Sequence, residues 1–209
     1  MHKVMVFIDY QNFNINLKKH YSGKKFKAIN YGALGKEINR LIPLQSEVIK
    51  TYVFAFKPSD ELMQLDFYKD YYTWLNNTLK KTPYLEVIEG RQEIRKIKGQ
   101  TFDINNPDTY TTEEKETDIN LATHMVAKGF QNAYDIAILV SGDTDYVNVI
   151  KTLHNLGKTI VIAHFQHQNI SKYDGIYDAE IILYDSLLNK ATNKKEEKED
   201  KEVKESKDK

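Results

Sequence analysis

The stretch "ILVSGDTDYVNVI" at residues 138–150 decides the fold and also points to a site. Its opening residues, extended upstream by Ile136 and Ala137, form an unbroken apolar run typical of a strand buried on both faces. Asp143 and Asp145 follow directly after this run. Open α/β sheets bind ligands above the carboxyl ends of their strands, so the two acids are either part of a capped turn or half of a metal site.

Composition narrows the class of protein. The chain has 209 residues, 41% of them apolar, which predicts one globular domain with a substantial core. It contains no cysteine, which excludes disulfides, thiolate metal sites and thiol catalysis and is compatible with a cytoplasmic location. The N-terminal apolar run ends early, at Asp9, so we expect neither a signal peptide nor a membrane span. The 30 basic and 30 acidic residues cancel, which is only weak evidence against a nucleic-acid partner.

Strand and helix patterns alternate along the chain. The apolar periodicity predicts strands at 4–9, 47–56, 84–90, 135–140, 158–165 and 179–184, and helices at 30–42, 59–81, 118–130 and 146–157. This order predicts an α/β fold with a mostly parallel central sheet and helices on both faces. We expect one domain over residues 1–189, with a loop or hairpin inserted at about 91–115, followed by a charged, disordered tail at 190–209.

Acidic residues from separate parts of the chain fall on one edge of this predicted sheet. Asp9 ends the first strand, Asp118 opens a helix, and Asp143 and Asp145 follow the strand at 135–140. Taken singly, Asp118 suits a helix N-terminus and Asp143 suits a turn. Gathered in one crevice, the carboxylates would resist ionising together unless a divalent cation sat among them. A set of ligands made only of oxygen favours Mg²⁺ or Mn²⁺.

Such a site has a natural chemistry. A carboxylate-held cation can activate water and neutralise charge on a phosphodiester, without a nucleophilic side chain. Asn12 is placed to orient a phosphate, and Ser141 and Thr144 are placed to support the carboxylates through their hydroxyls.

Three segments carry a resemblance to a known family. "VFIDYQNFN" (6–14), "KETDINLATHM" (115–125) and "ILVSGDTDYVNVIKTLHNLGKTIVI" (138–162) together resemble the NYN domain, a PIN-like nuclease fold, in its LabA-like branch. The resemblance covers about residues 3–185. It implies a three-layer α/β/α, PIN-like architecture and a metal-dependent ribonuclease centre that acts on RNA. The matching site positions are Asp9, Asn12, Asp118, Asp143 and Asp145.

The sequence departs from this family pattern at His124. Many relatives have a second acid at this helix position, and imidazole can still bind Mn²⁺ or contact a phosphate. An ordinary, half-exposed helix histidine is the alternative. The departure keeps open a second hypothesis: a catalytically weak NYN module that binds nucleic acid or protein.

The substrate contacts are harder to place. Arg91, Arg95 and Lys96 form a basic strip that could bind phosphates, and a solvated strand face is the simpler alternative. A homodimer is one arrangement that the sequence allows. Two other metal-enzyme classes fit worse. Dehalogenase-like phosphatases need two acids after the first strand, where Tyr10 and Gln11 follow Asp9, and Toprim enzymes need a Glu there.

Overall fold

The structure, a computed structural model, describes residues 1–192 and contains a seven-stranded sheet. The strands are β1 (His2–Asp9), β2 (Ser46–Pro58), β3 (Leu85–Lys96), β4 (Tyr110–Lys115), β5 (Ile136–Val140), β6 (Thr159–His164) and β7 (Ala179–Ile182). The helices are α1 (Tyr10–Tyr21), α2 (Tyr31–Asn39), α3 (Asp66–Trp74), α4 (Thr117–Phe130), α5 (Val147–Asn155) and α6 (Asp185–Lys190). The strand order is β4-β3-β2-β1-β5-β6-β7, and only β4 runs antiparallel to its neighbour.

The sheet separates two apolar cores, which makes the fold three-layered. Alternate residues of β1 point to opposite faces, so that Val6 belongs to one core and Phe7 to the other. Helices α1, α2 and α6 contribute to the first core, and α4 and α5 contribute to the second. The predicted α/β fold with a mostly parallel sheet is therefore confirmed.

Helix α1 is absent from the sequence prediction. Its twelve residues include Asn12, Asn14 and Asn16, a residue type that disfavours helix interiors because its side chain competes for backbone groups. In the structure, two of these side chains donate to backbone carbonyls four residues earlier in the chain. The amide of Asn14 donates to the Tyr10 carbonyl at 2.7 Å, and the amide of Asn16 donates to the Asn12 carbonyl at 2.8 Å.

The single helix predicted at 59–81 is divided. A 3₁₀ turn at Leu62–Gln64 comes first, then α3, and then a π-helical segment at Leu75–Leu79. Each segment still buries apolar side chains: Leu62 in the 3₁₀ turn, Tyr71 in α3, and Leu75 and Leu79 in the π-helical segment.

β3 and β4 form a hairpin whose connection includes a 3₁₀ turn at Pro107–Thr109. At the other end of the described chain, Ala191 is buried and Thr192 forms a bridge with Ile29. The rest of the predicted tail, residues 193–209, lies outside the described residues. Within residues 1–192, no helix combines the length and the apolar character needed to cross a membrane.

The chain connections place a crevice between β1 and β5. From β1 the sheet grows through β2 towards β4, whereas from β5 it grows in the other direction through β6 to β7. The connections leaving these two adjacent strands therefore diverge, and a crevice opens at their carboxyl ends. Asp9 and Ser141 lie at this switch point.

Candidate active site

Asp9 is the buried carboxylate of this crevice. Its side chain is 4% exposed and caps α1, with Oδ1 accepting the Asn12 backbone N–H at 3.0 Å. Its other oxygen, Oδ2, accepts the Ser141 hydroxyl at 3.1 Å. Burial raises the pKa of Asp9 to about 6, the negative charge of Asp118 adds to that rise, and the hydrogen bonds oppose it.

A single hydroxyl joins Asp9 to Asp118. The Tyr146 hydroxyl lies 2.8 Å from Asp118 Oδ1 and 3.2 Å from Asp9 Oδ2. Asp118 stands in the first turn of α4, and the Tyr146 ring is only 2% exposed. Burial, and then the charges of Asp9 and Asp118, raise the pKa of Tyr146 far above its ordinary value, so the hydroxyl keeps its proton. Two of the carboxylates predicted from the sequence therefore meet across one oxygen atom.

Asp143 caps a turn, which is one of the two roles that the sequence allowed for it. Its Oδ1 accepts the Asp145 backbone N–H at 3.0 Å and so caps the 3₁₀ turn Thr144–Tyr146 that leads into α5. Its own N–H donates to the Ser141 hydroxyl at 3.1 Å, and its carbonyl accepts the Tyr173 hydroxyl. Asp145 is exposed, and Asp143 is half-buried.

The charges of Asp143 and Asp145 act on the same tyrosine as the charge of Asp9. Tyr173 is fully buried, and its pKa is raised by burial first and then by the charges of Asp143, Asp145 and Asp9. The charges of all three carboxylates therefore act on one hydroxyl, that of Tyr173.

The polar side chains predicted to support the site hold its loops. The Asn12 side-chain oxygen accepts the Gly142 N–H at 3.3 Å and the Gln168 amide at 2.9 Å. Ser141 bonds both Asp9 and Asp143, and Thr144 begins the capped turn. Asn12 and Ser141 thus fix the positions of β1 and of the 141–146 loop relative to each other.

Glu114, on β4, is a site residue that the sequence prediction missed. Both of its carboxylate oxygens are buried without a hydrogen-bond partner. Burial raises its pKa to about 7, and the charges of Asp9 and Asp118 push it further in that direction. Gln92, which is directly opposite on β3 and 5% exposed, also has a buried side-chain oxygen without a partner. Such a set of acceptor oxygens is suited to a cation or a proton donor.

The only sequence signal for Glu114 was an acid in a short polar segment, "TTEEKE" (111–116), just before Asp118. The prediction of a loop or hairpin there did not assign a face to this residue.

As their side chains stand, no three histidine or acidic residues within 1–192 are arranged around a common ion position. The crevice therefore contains a carboxylate pair, Asp9 and Asp118. The charges of this pair raise the pKa of Glu114, and Asp143 adds its charge to theirs in raising the pKa of Tyr146.

Comparison with known proteins identifies the family. The model of the NYN domain matches residues 3–174, which is most of the chain. The chain belongs to the NYN domain family. NYN domains are generally nuclease-like, and their fold is the PIN-like one.

A solved structure shares the NYN domain's fold. It is a protein of unknown function from Vibrio parahaemolyticus, with a TM-score of 0.56 and 14% sequence identity. The match covers 88% of this chain and 94% of that one, and at this identity it concerns the fold alone. Among curated proteins, none matches this sequence.

His124 of the NYN domain packs on the sheet. Its ring centroid lies 5.6 Å from that of Phe54 and 6.1 Å from that of Tyr52. Nδ1 is 2.8 Å from the Asn120 carbonyl, which is an acceptor, so Nδ1 carries a proton and Nε2 is the nitrogen left for other contacts.

The basic strip on the hairpin is already paired. Arg91 lies 2.6 Å from Glu116 and 3.4 Å from Glu93, and Arg95 forms an ion pair with Glu113. The ammonium of Lys96 sits 4.9 Å from the centre of the Phe102 ring. These side chains are exposed, but two of the three must exchange a carboxylate for a phosphate in order to bind nucleic acid.

Proposed function

We propose that this NYN domain, of the LabA-like branch, is a ribonuclease that hydrolyses phosphodiester bonds of RNA with Mg²⁺ or Mn²⁺. The observation that carries the proposal is the meeting of Asp9 and Asp118 at the Tyr146 hydroxyl, at the switch point of the sheet. Ligands of α/β sheets bind at this place, and a carboxylate pair is what a hard cation requires there.

The residues present fit such a cation. Mg²⁺ is usually held by one or two carboxylates, with waters and substrate phosphates completing its shell, so the Asp9–Asp118 pair suffices as a protein contribution. The unpartnered oxygens of Glu114 and Gln92 add acceptor capacity beside it. A divalent cation bound there would neutralise charge on the phosphodiester and acidify a water molecule.

The chain's own groups prepare this chemistry. Asn12 and Ser141 hold the Asp9 carboxylate in place, and the raised pKa of Glu114, about 7, suits a group that takes up a proton near neutral pH. Asp143 and Asp145 are proposed as further metal ligands or as a base, since their charges act on the same ring as that of Asp9.

RNA would approach from the exposed rim. We propose phosphate contacts from Arg91, Arg95 and Lys96 on the hairpin, and from Thr144 and His124 nearer the crevice. A cytoplasmic location and a homodimer remain predictions from the sequence.

The test is cleavage of a panel of labelled RNA and DNA oligonucleotides, with and without Mn²⁺, by the parent protein and by Asp118→Asn. We expect RNA cleavage that requires the cation and falls at least about 100-fold in the variant, because a pre-organised charge of the site is lost. Asp135→Asn is the matched control, because Asp135 is an exposed carboxylate at the amino end of β5, on the opposite edge of the sheet.

An Asp118→Asn protein that cuts RNA at the parental rate would refute the proposal. RNA binding without cleavage by the parent protein would favour the alternative, a catalytically weak binding module. That alternative draws on the absence, within 1–192, of three convergent acidic or histidine side chains.

A further inference from the structure

Tyr146 occupies an unusual position between two carboxylates. Its hydroxyl is within hydrogen-bonding distance of both Asp118 Oδ1, at 2.8 Å, and Asp9 Oδ2, at 3.2 Å. Asp9 is the terminal residue of β1 and Asp118 belongs to the first turn of α4, so this hydroxyl ties a strand of the sheet to a helix above it.

The hydroxyl cannot satisfy both carboxylates at once. A phenol donates one proton, and the shorter contact identifies Asp118 as its acceptor. Asp9 Oδ2 instead receives the Ser141 hydroxyl at 3.1 Å. The phenol oxygen therefore holds Asp118 Oδ1 by a hydrogen bond and lies 3.2 Å from Asp9 Oδ2, between the two carboxylates.

The position of this oxygen is fixed by the core. The Tyr146 ring is 2% exposed and belongs to the apolar core that also contains Leu121 of α4 and Ile150 of α5. Asp118, by contrast, starts a helix that has no side-chain cap, since the N-cap residue Glu116 makes no such hydrogen bond. The Tyr146 hydroxyl is thus the side-chain contact that orients the Asp118 carboxylate toward Asp9.

We propose that Tyr146 is a positioning residue that sets the separation of the Asp9 and Asp118 carboxylates and thereby the affinity of the site for a divalent cation. The inference rests on the proposed function, because it concerns the same carboxylate pair. Groups that orient metal ligands in this way change metal affinity when removed, by about 10- to 100-fold.

The decisive variant is Tyr146→Phe, which keeps the ring in the core and removes only the oxygen. We expect Mn²⁺ to bind about 10- to 100-fold more weakly to this variant than to the parent. The matched control is Tyr134→Phe. Tyr134 is fully buried in the same core, and its hydroxyl donates to the Met125 carbonyl at 2.8 Å, so the variant loses a buried hydrogen bond to a backbone carbonyl and none to a carboxylate.

The measurement is titration of Mn²⁺ into the full chain, followed by the electron paramagnetic resonance signal of the free ion. Thermal unfolding without metal runs alongside and should show similar shifts in Tm for the two Tyr→Phe variants. A loss of Mn²⁺ affinity in Tyr146→Phe alone supports the inference. Equal Mn²⁺ affinity in Tyr146→Phe and parent, or an equal loss in Tyr134→Phe, overturns it while leaving the proposed function standing. A parent protein that binds no Mn²⁺ overturns both.

Discussion

At the scale of single residues, several side chains of the site also have a structural role. Asp9 caps α1, Asp143 caps the turn before α5, and Asn12 joins two loops. The sequence allowed both the capping role and the metal role for Asp143, and could not choose between them, because both use the same carboxylate at the same place in the chain. Substitutions that preserve the capping role and remove the metal role can separate the two.

Asp143→Asn and Asp143→Ala form such a pair. Asn accepts the Asp145 N–H as well as Asp does, so Asp143→Asn should leave the free energy of unfolding nearly unchanged, while Asp143→Ala should lower it by about 1 kcal/mol. Both variants remove the negative charge, so both should weaken Mn²⁺ binding and RNA cleavage. Urea unfolding, Mn²⁺ titration and cleavage rates check this. An Asn variant with parental cleavage would show that Asp143 only caps the turn.

The raised pKa of Glu114 predicts that the stability of the metal-free protein depends on pH. Its pKa rises on folding from an ordinary 4.5 to about 7, so the folded protein holds this proton more tightly than the unfolded chain does. The free energy of unfolding should therefore fall as the pH rises from about 4.5 to about 7, by roughly 1–3 kcal/mol for this group. Asp9, whose pKa is raised to about 6, contributes in the same direction at somewhat lower pH.

The variant Glu114→Gln should flatten this slope and raise stability at pH 8, because no buried charge then forms. Glu47→Gln, at an exposed position near the start of β2, should leave the slope unchanged. Urea unfolding at a series of pH values, with a chelator present, tests both statements. A parent whose stability increased over this pH range would contradict the assignment of Glu114.

At the scale of elements, six of the seven strands were predictable. The edge strand β4, predicted only as part of a loop or hairpin, and the irregular helices were not. The strands of the central sheet that lie next to the site, β1 and β5, are continuous apolar runs, a pattern that few other structures produce. Helix α1 escaped prediction because its three asparagines lower its helix propensity, and some of the contacts that compensate, such as that of Asn14 with Tyr31 at 2.9 Å, join residues distant in the sequence. The π-helical segment after α3 escaped because its apolar spacing is also that of an α-helix.

One glycine controls how closely the elements at the site approach each other. A Cβ at Gly90 of β3 would lie 2.5 Å from the Lys115 carbonyl oxygen and 2.8 Å from the Thr117 nitrogen, both of them backbone atoms at the β4–α4 junction. Gly90→Ala should therefore destabilise the protein by about 1–3 kcal/mol and displace the segment that carries Glu114 and Asp118. Gly32→Ala, in α2, is the control and should be near neutral, since its closest neighbours are side-chain atoms at 3.3 and 3.4 Å. Thermal unfolding and Mn²⁺ affinity measure the two effects, and equal Tm values for the two variants would contradict this account.

At the scale of the whole molecule, strand order converts distant sequence motifs into one site. The apolar runs ending at Asp9 and Ser141 predicted two buried strands, and the structure makes them neighbours in the sheet. The position of Glu114 at this site could not be predicted. It depends on how far the β3–β4 hairpin extends beyond the end of β1, and side-chain periodicity does not encode that length.

The pairing of Arg91 and Arg95 with glutamates has a consequence for how RNA binding responds to ionic strength. A phosphate that replaces the carboxylate on Arg91 or Arg95 releases a counterion from the RNA, but the freed glutamate takes one up. A plot of log Kd against log salt concentration should therefore be shallow, with a slope below about 2 in magnitude. Replacing Glu93, Glu113 and Glu116 together by Gln removes the carboxylates paired with the two guanidinium groups and should steepen the slope by about 1.4, at roughly 0.7 per added phosphate contact on a single strand. Glu86→Gln, which frees Lys50 elsewhere on the sheet, should leave it unchanged. In the parent protein the hairpin is thus a nearly neutral surface, on which acidic side chains occupy the places beside Arg91 and Arg95 that phosphates would otherwise fill.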